Sequence, residues 1–234
     1  MVSDDILRQV LEYAKNTETN TKTYLEIGCG SGFLGQELAR NGWLFIGIDF
    51  SLQALLSLKK RLDNHKIKNY LLIHGDIQSL PLRNDSVDLI YGGGVIEHFK
   101  NPQAVINHIF NSLTKDGVSF NAVPFLNIGN MAYRSFWGGI PNVPVLKQLA
   151  ELVHLKILKG RHMVFGYELQ FTATQLKRLH INAGFKPKNI ILGRFDCYVQ
   201  LNMVHNPYLK EFFRNLCKNN RQFWPMIKVI GIKK

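Results

Sequence analysis

The glycine-rich turn Gly28-Cys29-Gly30-Ser31-Gly32 is the stretch of this chain best suited to bind a ligand. An apolar run ending at Ile27 precedes it, and apolar residues at helical spacing follow from Phe33 to Ala39. Glycines at a strand-to-helix junction can adopt positive φ and let a ligand approach the backbone, while the free N–H groups of the helix start attract electron-rich atoms. Asp49, after the next apolar run, Trp43–Ile48, is placed to accept hydrogen bonds from two ribose hydroxyls. The pattern predicts a cradle for a nucleotide-type cofactor.

Two glycine registers compete in this turn, and they imply different cofactors. Gly28, Gly30 and Gly32 form G-x-G-x-G directly after the apolar run, whereas Gly30, Gly32 and Gly35 form G-x-G-x-x-G two residues later. A dinucleotide fingerprint, G-x-G-x-x-G, should begin where the strand ends, at Gly28. Its third glycine would then fall at position 33, which is Phe33. The first register is therefore favoured, and a turn without a ligand stays open as the alternative.

Strand and helix patterns alternate five times between residues 23 and 123. The later strands are predicted at Asn69–His74, Asp85–Tyr91 and Val118–Val123, with helices starting at the N-cap Ser51 and at Asn101-Pro102. Such alternation predicts right-handed crossovers and a parallel sheet covered on both faces. Ligands bind at the carboxyl ends of the strands of such sheets, and four placements agree with that rule, at Gly28, Asp49, Asp76 and Gly92.

Together these motifs resemble the S-adenosylmethionine-binding region of class I methyltransferases, in particular small-molecule enzymes of the "type 11" kind. The resemblance rests on Glu26 before the glycines, the G-x-G-x-G turn, Asp49, and Gly75-Asp76 after the third strand. It implies S-adenosyl-L-methionine as cofactor and S-adenosyl-L-homocysteine as product. The cofactor-binding residues that it implies are Glu26, Gly28, Cys29, Gly30, Gly32, Asp49, Phe50, Asp76, Ile77, Gly92 and Gly93, where Cys29 serves as a small residue that fits the turn.

Two groups of these residues have specific expected roles. By resemblance, Asp76 accepts a hydrogen bond from the exocyclic amine of adenine, and the N–H of Ile77 meets a ring nitrogen. A carboxylate that only caps the following turn remains the alternative for Asp76. Gly92 and Gly93 are expected in a loop, after the fourth strand, that touches the methionine end of the cofactor and begins the acceptor pocket.

The rest of the chain predicts one α/β domain over residues 1–234. We expect a Rossmann-like, seven-stranded, mostly parallel sheet with an antiparallel last strand and helices on both faces. The core is expected at about 20–123 and 171–234, with an N-terminal helix over 4–15. Strand and helix patterns stop alternating over residues 124–170, which predicts a helical lid insertion with aromatic residues after strand five. The insertion includes a basic stretch, Val145–Lys159. As an alternative to a lid, this stretch packs on a neighbouring element or on a second subunit.

Composition limits the function classes. No apolar run reaches the roughly 20 residues that span a bilayer, and the N-terminus lacks a signal-peptide pattern, so a cytoplasmic monomer or homodimer is expected. Three widely spaced cysteines favour neither a disulfide framework nor a metal site. Residues 1–146 hold 13 Lys/Arg and 13 Asp/Glu, whereas residues 147–234 hold 16 and 4. This basic final third indicates an anionic substrate, nucleic acid, an anionic membrane surface or a solvated basic face.

The catalytic demands of methyl transfer are modest, because the cofactor already carries a good leaving group. If the acceptor must lose a proton, His98 is the leading candidate base, with His162 and Glu97 behind it. We expect methyl transfer to an oxygen, nitrogen or carbon atom of a small, hydrophobic or aromatic acceptor. The alternatives are an RNA methyltransferase using the basic C-terminal third, a non-catalytic cofactor-binding subunit and, last, an NAD(P) oxidoreductase.

Overall fold

The computed structural model describes residues 8–10, 12, 22–79, 82–134, 137–195 and 204–234. In chain order, the strands named here are β1 Thr23–Ile27, β2 Leu44–Asp49, β3 Tyr70–His74, β4 Val87–Gly93, β5 Leu113–Pro124, β6 Gly139–Pro141, β7 Glu168–Gln170, β8 Ile190–Phe195 and β9 Met226–Ile232. The helices are α1 Phe33–Arg40, α2 Leu52–Asn64, α3 Pro102–Ser112, α4 Ile128–Tyr133, α5 Pro144–Glu151, α6 Ala173–Ala183 and α7 Pro207–Asn219.

The main sheet has seven strands in the order β3-β2-β1-β4-β5-β9-β8. Neighbouring strands from β3 through β5 are parallel, whereas β9 runs antiparallel to both β5 and β8. The crossovers of a parallel sheet need helices, which explains the strict alternation in the first half of the chain. The predicted seven-stranded, mostly parallel sheet with an antiparallel last strand is confirmed.

Apolar residues on both faces of the sheet bury it between helices. In β1, Tyr24 packs with α1 and α2 in one buried cluster, whereas Leu25 and Ile27 pack with α3 and α6 in the other. This alternation follows from the two-residue period of a strand, which sends successive side chains to opposite faces. The sheet is therefore held rigidly, and the ends of its strands are fixed relative to one another.

Side-chain caps fix the starts of three helices that flank the sheet. Ser51 Oγ accepts a hydrogen bond from the N–H of Ala54, and Asn101 Oδ1 accepts one from the N–H of Ala104. Thr172 and Gln175 form a reciprocal capping box at the start of α6. Each cap satisfies an N–H group that the helix itself leaves without a partner, so helix entry is defined locally by sequence.

The end of β4, near the predicted site, differs from the sequence prediction. Gly92 and Gly93 lie inside β4, paired with Asn121 and Ala122 of β5, rather than in a loop after the strand. The strand continues because β5 extends to Pro124 and keeps offering partners. A Cβ atom at Gly92 would come within 2.7 Å of Ile27 Cδ1 and Asn121 Oδ1, so close packing requires glycine there.

The insertion after β5 contains α4, a short parallel pair of β6 and β7, and α5, which continues as a π-helical segment over Leu152–Ile157. Its two ends meet, since Leu126 N–H donates to Phe171 O at 2.8 Å and Phe171 N–H donates to Pro124 O at 3.0 Å. The insertion therefore leaves and rejoins the sheet domain at one place.

At the N-terminus, residues 8–10 and 12 are helical, and the remainder of the predicted helix 4–15 lies outside the described residues. Among the helices that the structure describes, we find none with the length and apolar character needed to cross a bilayer.

Candidate functional site

A cleft of about 520 Å³ opens where the first four strands end. It is lined by Gly28 after β1, by Asp49 and Phe50 after β2, by Asp76 and Ile77 after β3, and by His98 beyond β4. Residues distant in the sequence therefore meet at the carboxyl edge of the parallel sheet, which is the edge where open α/β sheets bind ligands. Its volume lies in the range of small-molecule sites.

The glycine turn and Asp49 form one hydrogen-bonded unit. Asp49 is buried, its Oδ2 accepts from the N–H of Gly30 at 2.8 Å, and its Oδ1 accepts from the N–H of Ser51 at 2.9 Å. Gly30 has a φ of +44° and no neighbouring atom closer than 4.0 Å to the position of a side-chain Cβ. The turn thus leaves room beside an anchored carboxylate that retains accepting lone pairs.

Gly28 explains why this turn cannot carry larger residues. Its φ is +61°, and a Cβ atom there would lie 2.8 Å from Cγ2 of Val95. Val95 itself lines the cleft, so the turn after β1 and the segment after β4 are in close contact. A side chain at position 28 would push these two walls apart.

Asp76 and Phe50 form the exposed side of the cleft. Asp76 Oδ1 accepts from the N–H of Gln78 at 2.9 Å and thereby caps the short helical turn Ile77–Ser79. Asp76 therefore lines the cleft and caps a turn at the same time. The Phe50 side chain is 84% exposed, which leaves a large apolar ring uncovered at the mouth of the cleft.

His98 lies where the insertion touches the cleft. Its Nδ1 is 2.7 Å from the carbonyl oxygen of Tyr167, just before β7. A carbonyl only accepts hydrogen bonds, so Nδ1 carries the hydrogen in this contact and Nε2 of the neutral ring keeps a lone pair. Tyr167 is fixed in turn, because its hydroxyl donates to Glu151 Oε1 at 2.7 Å.

Six predicted cofactor residues do not line the cleft: Glu26, Cys29, Gly30, Gly32, Gly92 and Gly93. Glu26 is buried on the opposite side of the turn, where its Oε2 accepts from the N–H of Gly35 in the first turn of α1 at 3.1 Å. Burial raises the pKa of Glu26 to about 8. The Cys29 side chain packs in the core near Gly47, and burial, with smaller contributions from Glu26 and Asp49, raises the pKa of its thiol to about 12.

Three residues that line the cleft, Gly94, Val95 and Phe99, were not predicted, and Gly75 was named only as part of the Gly75-Asp76 motif. Gly94 was available as the third glycine after Tyr91, and its φ of +77° marks it as the true turn residue at the end of β4. Val95 and Phe99 carry no spacing signal. Their positions depend on the short helical turn Ile96–His98, which only the packed structure reveals.

A buried polar group lies beside the cleft, where the insertion meets the sheet domain. Arg134 and Glu168 form an ion pair of 2.7 Å with both side chains buried. Glu97 is 1% exposed, and its Oε2 has no hydrogen-bond partner among the described residues. Burial raises the pKa of Glu97 to about 8, and the nearby negative charge of Glu168 adds to the shift, which Arg134 opposes. Glu97 is therefore largely protonated at neutral pH.

His162 does not lie at the cleft. It lines a second cavity of about 780 Å³ inside the insertion, which we call the insertion cavity, together with Trp137, His154, Ile157-Leu158, Lys159 and Arg161. Among the described residues, no group of three or more His, Cys, Asp and Glu side chains could hold a metal ion.

Comparison with known proteins agrees with this geometry. A family profile described as a methyltransferase domain matches residues 18–124. A ubiquinone biosynthesis O-methyltransferase of Glaesserella parasuis is 27% identical over 212 residues, covering 86% of this chain and 77% of the relative. A protein of the same name from Psychrobacter arcticus is 24% identical over 194 residues, covering 82% of this chain and 66% of the relative.

Solved structures share the fold. An S-adenosylmethionine-dependent methyltransferase from Mesorhizobium loti superimposes with a TM-score of 0.65 at 16% identity, covering 99% of this chain and 98% of that one. An N-methyltransferase of Haemonchus contortus, in complex with phosphomonomethylethanolamine and S-adenosylhomocysteine, gives a TM-score of 0.66 at 14% identity, covering 98% and 53%. At such identities the likeness concerns the fold.

Proposed function

The chain belongs to the class I S-adenosylmethionine-dependent methyltransferases, and on that premise we propose that it methylates an oxygen, nitrogen or carbon atom of a small-molecule acceptor by in-line displacement. The observation that carries the proposal is the single cleft shared by Gly28, Asp49, Asp76, Ile77 and His98. A cleft of this size suits a cofactor and a small acceptor better than a polymer.

The residues of the cleft fit the cofactor. Asp49 offers anchored carboxylate oxygens to ribose hydroxyls, and Asp76 offers oxygens to an amine donor. The open space beside Gly30 allows close approach to the backbone, and the exposed ring of Phe50 offers an apolar face to a planar base. When bound, S-adenosylmethionine supplies an electrophilic methyl group on a positively charged sulfur, and two carboxylates in the cleft suit that charge.

We assign to His98 the removal of the acceptor's proton. Its Nδ1–H is committed to the carbonyl of Tyr167, so Nε2 is the atom free to accept a proton. The contact also fixes the ring plane, which reduces the reorganisation needed at the moment of reaction. Tyr167 belongs to the insertion, and its hydrogen bond to Glu151 ties this contact to α5.

The insertion supplies the far wall of the acceptor site in this proposal. The buried Arg134–Glu168 pair joins the end of α4 to β7 within the insertion, close to Glu97 of the sheet domain. Because removal of one partner would leave an unpaired buried charge, the arrangement resists opening.

The test is transfer of a tritium-labelled methyl group from S-adenosylmethionine to three separate pools: metabolites, RNA and protein. We expect label in the metabolite pool, and much less label when an excess of sinefungin, a cofactor analogue without a transferable methyl group, competes with the labelled cofactor. Label that goes to RNA would favour the nucleic-acid alternative, and cofactor binding without transfer to any pool would favour a non-catalytic subunit.

A further inference from the structure

The insertion cavity is separate from the residues assigned to the cofactor, and its lining has a single charge sign. Lys159 and Arg161 line it together with the imidazoles of His154 and His162, and no carboxylate of the described residues does. Residues 144–167 contain Lys147, Lys156, Lys159 and Arg161 but one acidic residue, Glu151. Glu151 is engaged, since its Oε1 accepts from the Tyr167 hydroxyl. The lining of the cavity therefore carries positive charge, which favours an anion.

The turn that presents these groups is held in a costly conformation. Lys159 has a φ of +53° and Gly160 a φ of +68°, so two consecutive residues are left-handed. A non-glycine residue in that region is strained and persists only when its surroundings impose it. Here backbone hydrogen bonds impose it, from the N–H of Gly160 to His154 O at 2.8 Å and from the N–H of Met163 to Gly160 O at 3.0 Å.

The two histidines are fixed in the wall by each other. His154 Nδ1 and His162 Nε2 lie 2.8 Å apart, a distance at which one ring donates and the other accepts. Burial and the neighbouring His162 ring lower the pKa of His154. Neutral His154 thus orients the imidazole of His162. The second nitrogen of each ring, Nε2 of His154 and Nδ1 of His162, takes no part in this contact and can meet a ligand.

The remaining lining is apolar. Trp137, Ile157 and Leu158 share the cavity with the basic side chains, and Ile157 is 64% exposed. A lone inorganic anion would leave this apolar surface exposed to water, whereas an anion attached to an apolar or aromatic body would bury it. The volume of about 780 Å³ accommodates such a molecule.

We propose that the insertion cavity binds the acceptor's anionic group, a carboxylate or a phosphate carried on an apolar or aromatic body, through Lys159, Arg161 and His162. This inference rests on the proposed function, because it names the class of small molecule that is methylated. The link between the two sites is the insertion itself, where Glu151, one turn before His154, holds Tyr167 against His98. In this proposal the cavity anchors the anionic end of the acceptor, and the insertion that carries the cavity also contacts His98 at the cleft.

The test is calorimetric titration of the full chain with phenyl phosphate, benzoate and uncharged benzyl alcohol. We expect phenyl phosphate or benzoate to bind at least 10-fold more tightly than benzyl alcohol. Arg161→Gln should weaken binding of that anion by about 10-fold or more, since it removes a charge-assisted hydrogen bond. Arg161→Lys should retain part of the affinity. The matched control is Arg83→Gln, an exposed arginine in the loop before β4, which should leave the anion's affinity unchanged.

S-Adenosylhomocysteine is titrated into the same preparations, and it should bind the parent and Arg161→Gln equally. The inference would be overturned if the anions bound no more tightly than benzyl alcohol. It would also be overturned if Arg161→Gln and Arg83→Gln had the same affinity for the anion. Either result would leave cofactor binding intact. Inorganic phosphate that binds as tightly as phenyl phosphate would overturn the apolar part of the proposal. Failure of the parent to bind S-adenosylhomocysteine would instead count against the proposed function.

Discussion

The cleft and the insertion cavity differ in charge and in construction. Asp49 and Asp76 line the cleft, whereas Lys159 and Arg161 line the insertion cavity. Among the residues that the structure describes, no lysine or arginine lines the cleft and no carboxylate lines the insertion cavity. The cleft suits a cofactor that bears a positive sulfur and ribose hydroxyls, and the insertion cavity suits an anion. Each site therefore suits one substrate by its charge: the cleft suits the cofactor, and the insertion cavity suits the anionic acceptor.

Their construction differs as well. The cleft draws its residues from the ends of four strands, so its geometry is fixed by the sheet. The insertion cavity draws its residues from Trp137 and the segment 154–162, and α5 with its π-helical continuation has no buried residue. Changes within the insertion can therefore alter acceptor choice without disturbing cofactor binding.

His98→Gln tests the point where the two regions meet and has the largest expected effect. Glutamine can still donate to the carbonyl of Tyr167 but cannot accept the acceptor's proton, so we expect methyl transfer to slow by about 100-fold or more. The measurement is the rate with the acceptor fraction that takes up label. S-Adenosylhomocysteine affinity should stay unchanged, and His65→Gln, at the exposed end of α2, is the matched control. A full rate in His98→Gln would exclude this residue as the base.

Asp49→Ala tests the cleft alone. It removes the carboxylate that holds the glycine turn and faces the cleft, and we expect S-adenosylhomocysteine binding to weaken by about 1.5–3 kcal/mol, or roughly 10- to 150-fold. Calorimetry measures the effect, with Asp63→Ala as control because Asp63 pairs with Lys59 on the surface of α2. Unchanged affinity would place the ribose elsewhere.

Glu97→Gln tests the buried contact between the regions through pH. The folded-state pKa of Glu97, about 8, exceeds its ordinary value, so its contribution to stability is complete below about pH 4.3 and is lost as pH rises towards 8. Each such group changes the unfolding free energy by at most ~1.4 kcal/mol per pH unit.

Chemical denaturation at several pH values between 5 and 8 should therefore show a shallower loss of unfolding free energy in Glu97→Gln than in the parent. Glu26 keeps its own contribution, because its folded-state pKa is also about 8. Identical slopes in parent and variant would mean that Glu97 is ionised in the folded protein.

Phe50→Ala has the smallest expected effect. The ring is largely exposed, so its loss should not change unfolding free energy, but it should weaken S-adenosylhomocysteine binding by about 0.5–1.5 kcal/mol if it packs on the base. Phe212→Ala removes a comparably exposed ring from α7 and is the control. Equal affinities of the two variants in calorimetry would show that Phe50 does not contact the cofactor.

The same contrast explains what the sequence could predict. Gly28, Asp49 and Asp76 were predictable because each follows an apolar strand, and parallel strands must end at one edge. Gly92 and Gly93 were misplaced because a strand boundary depends on how far its neighbour extends, and β5 continues to Pro124. Glu26 carries the family pattern, yet its side chain is directed to α1.

For the insertion, the sequence predicted a helical segment over residues 124–170 but none of its internal contacts. Its two cavity histidines lie eight residues apart across a π-helical segment and a left-handed turn, and no periodicity encodes that contact. The Arg134–Glu168 pair spans 34 residues and depends on the pairing of β6 with β7. Such contacts arise from tertiary packing of an irregular segment, where local sequence preferences carry little information.

Hydrogen exchange measured by mass spectrometry with and without S-adenosylhomocysteine tests the central claim most directly. We predict that the ligand slows exchange in the segments 28–32, 49–51, 76–78 and 94–99, which surround the cleft, while residues 144–162 of the insertion change less. Protection centred on the insertion, with unchanged exchange at the four strand ends, would contradict the assignment of the cleft to the cofactor.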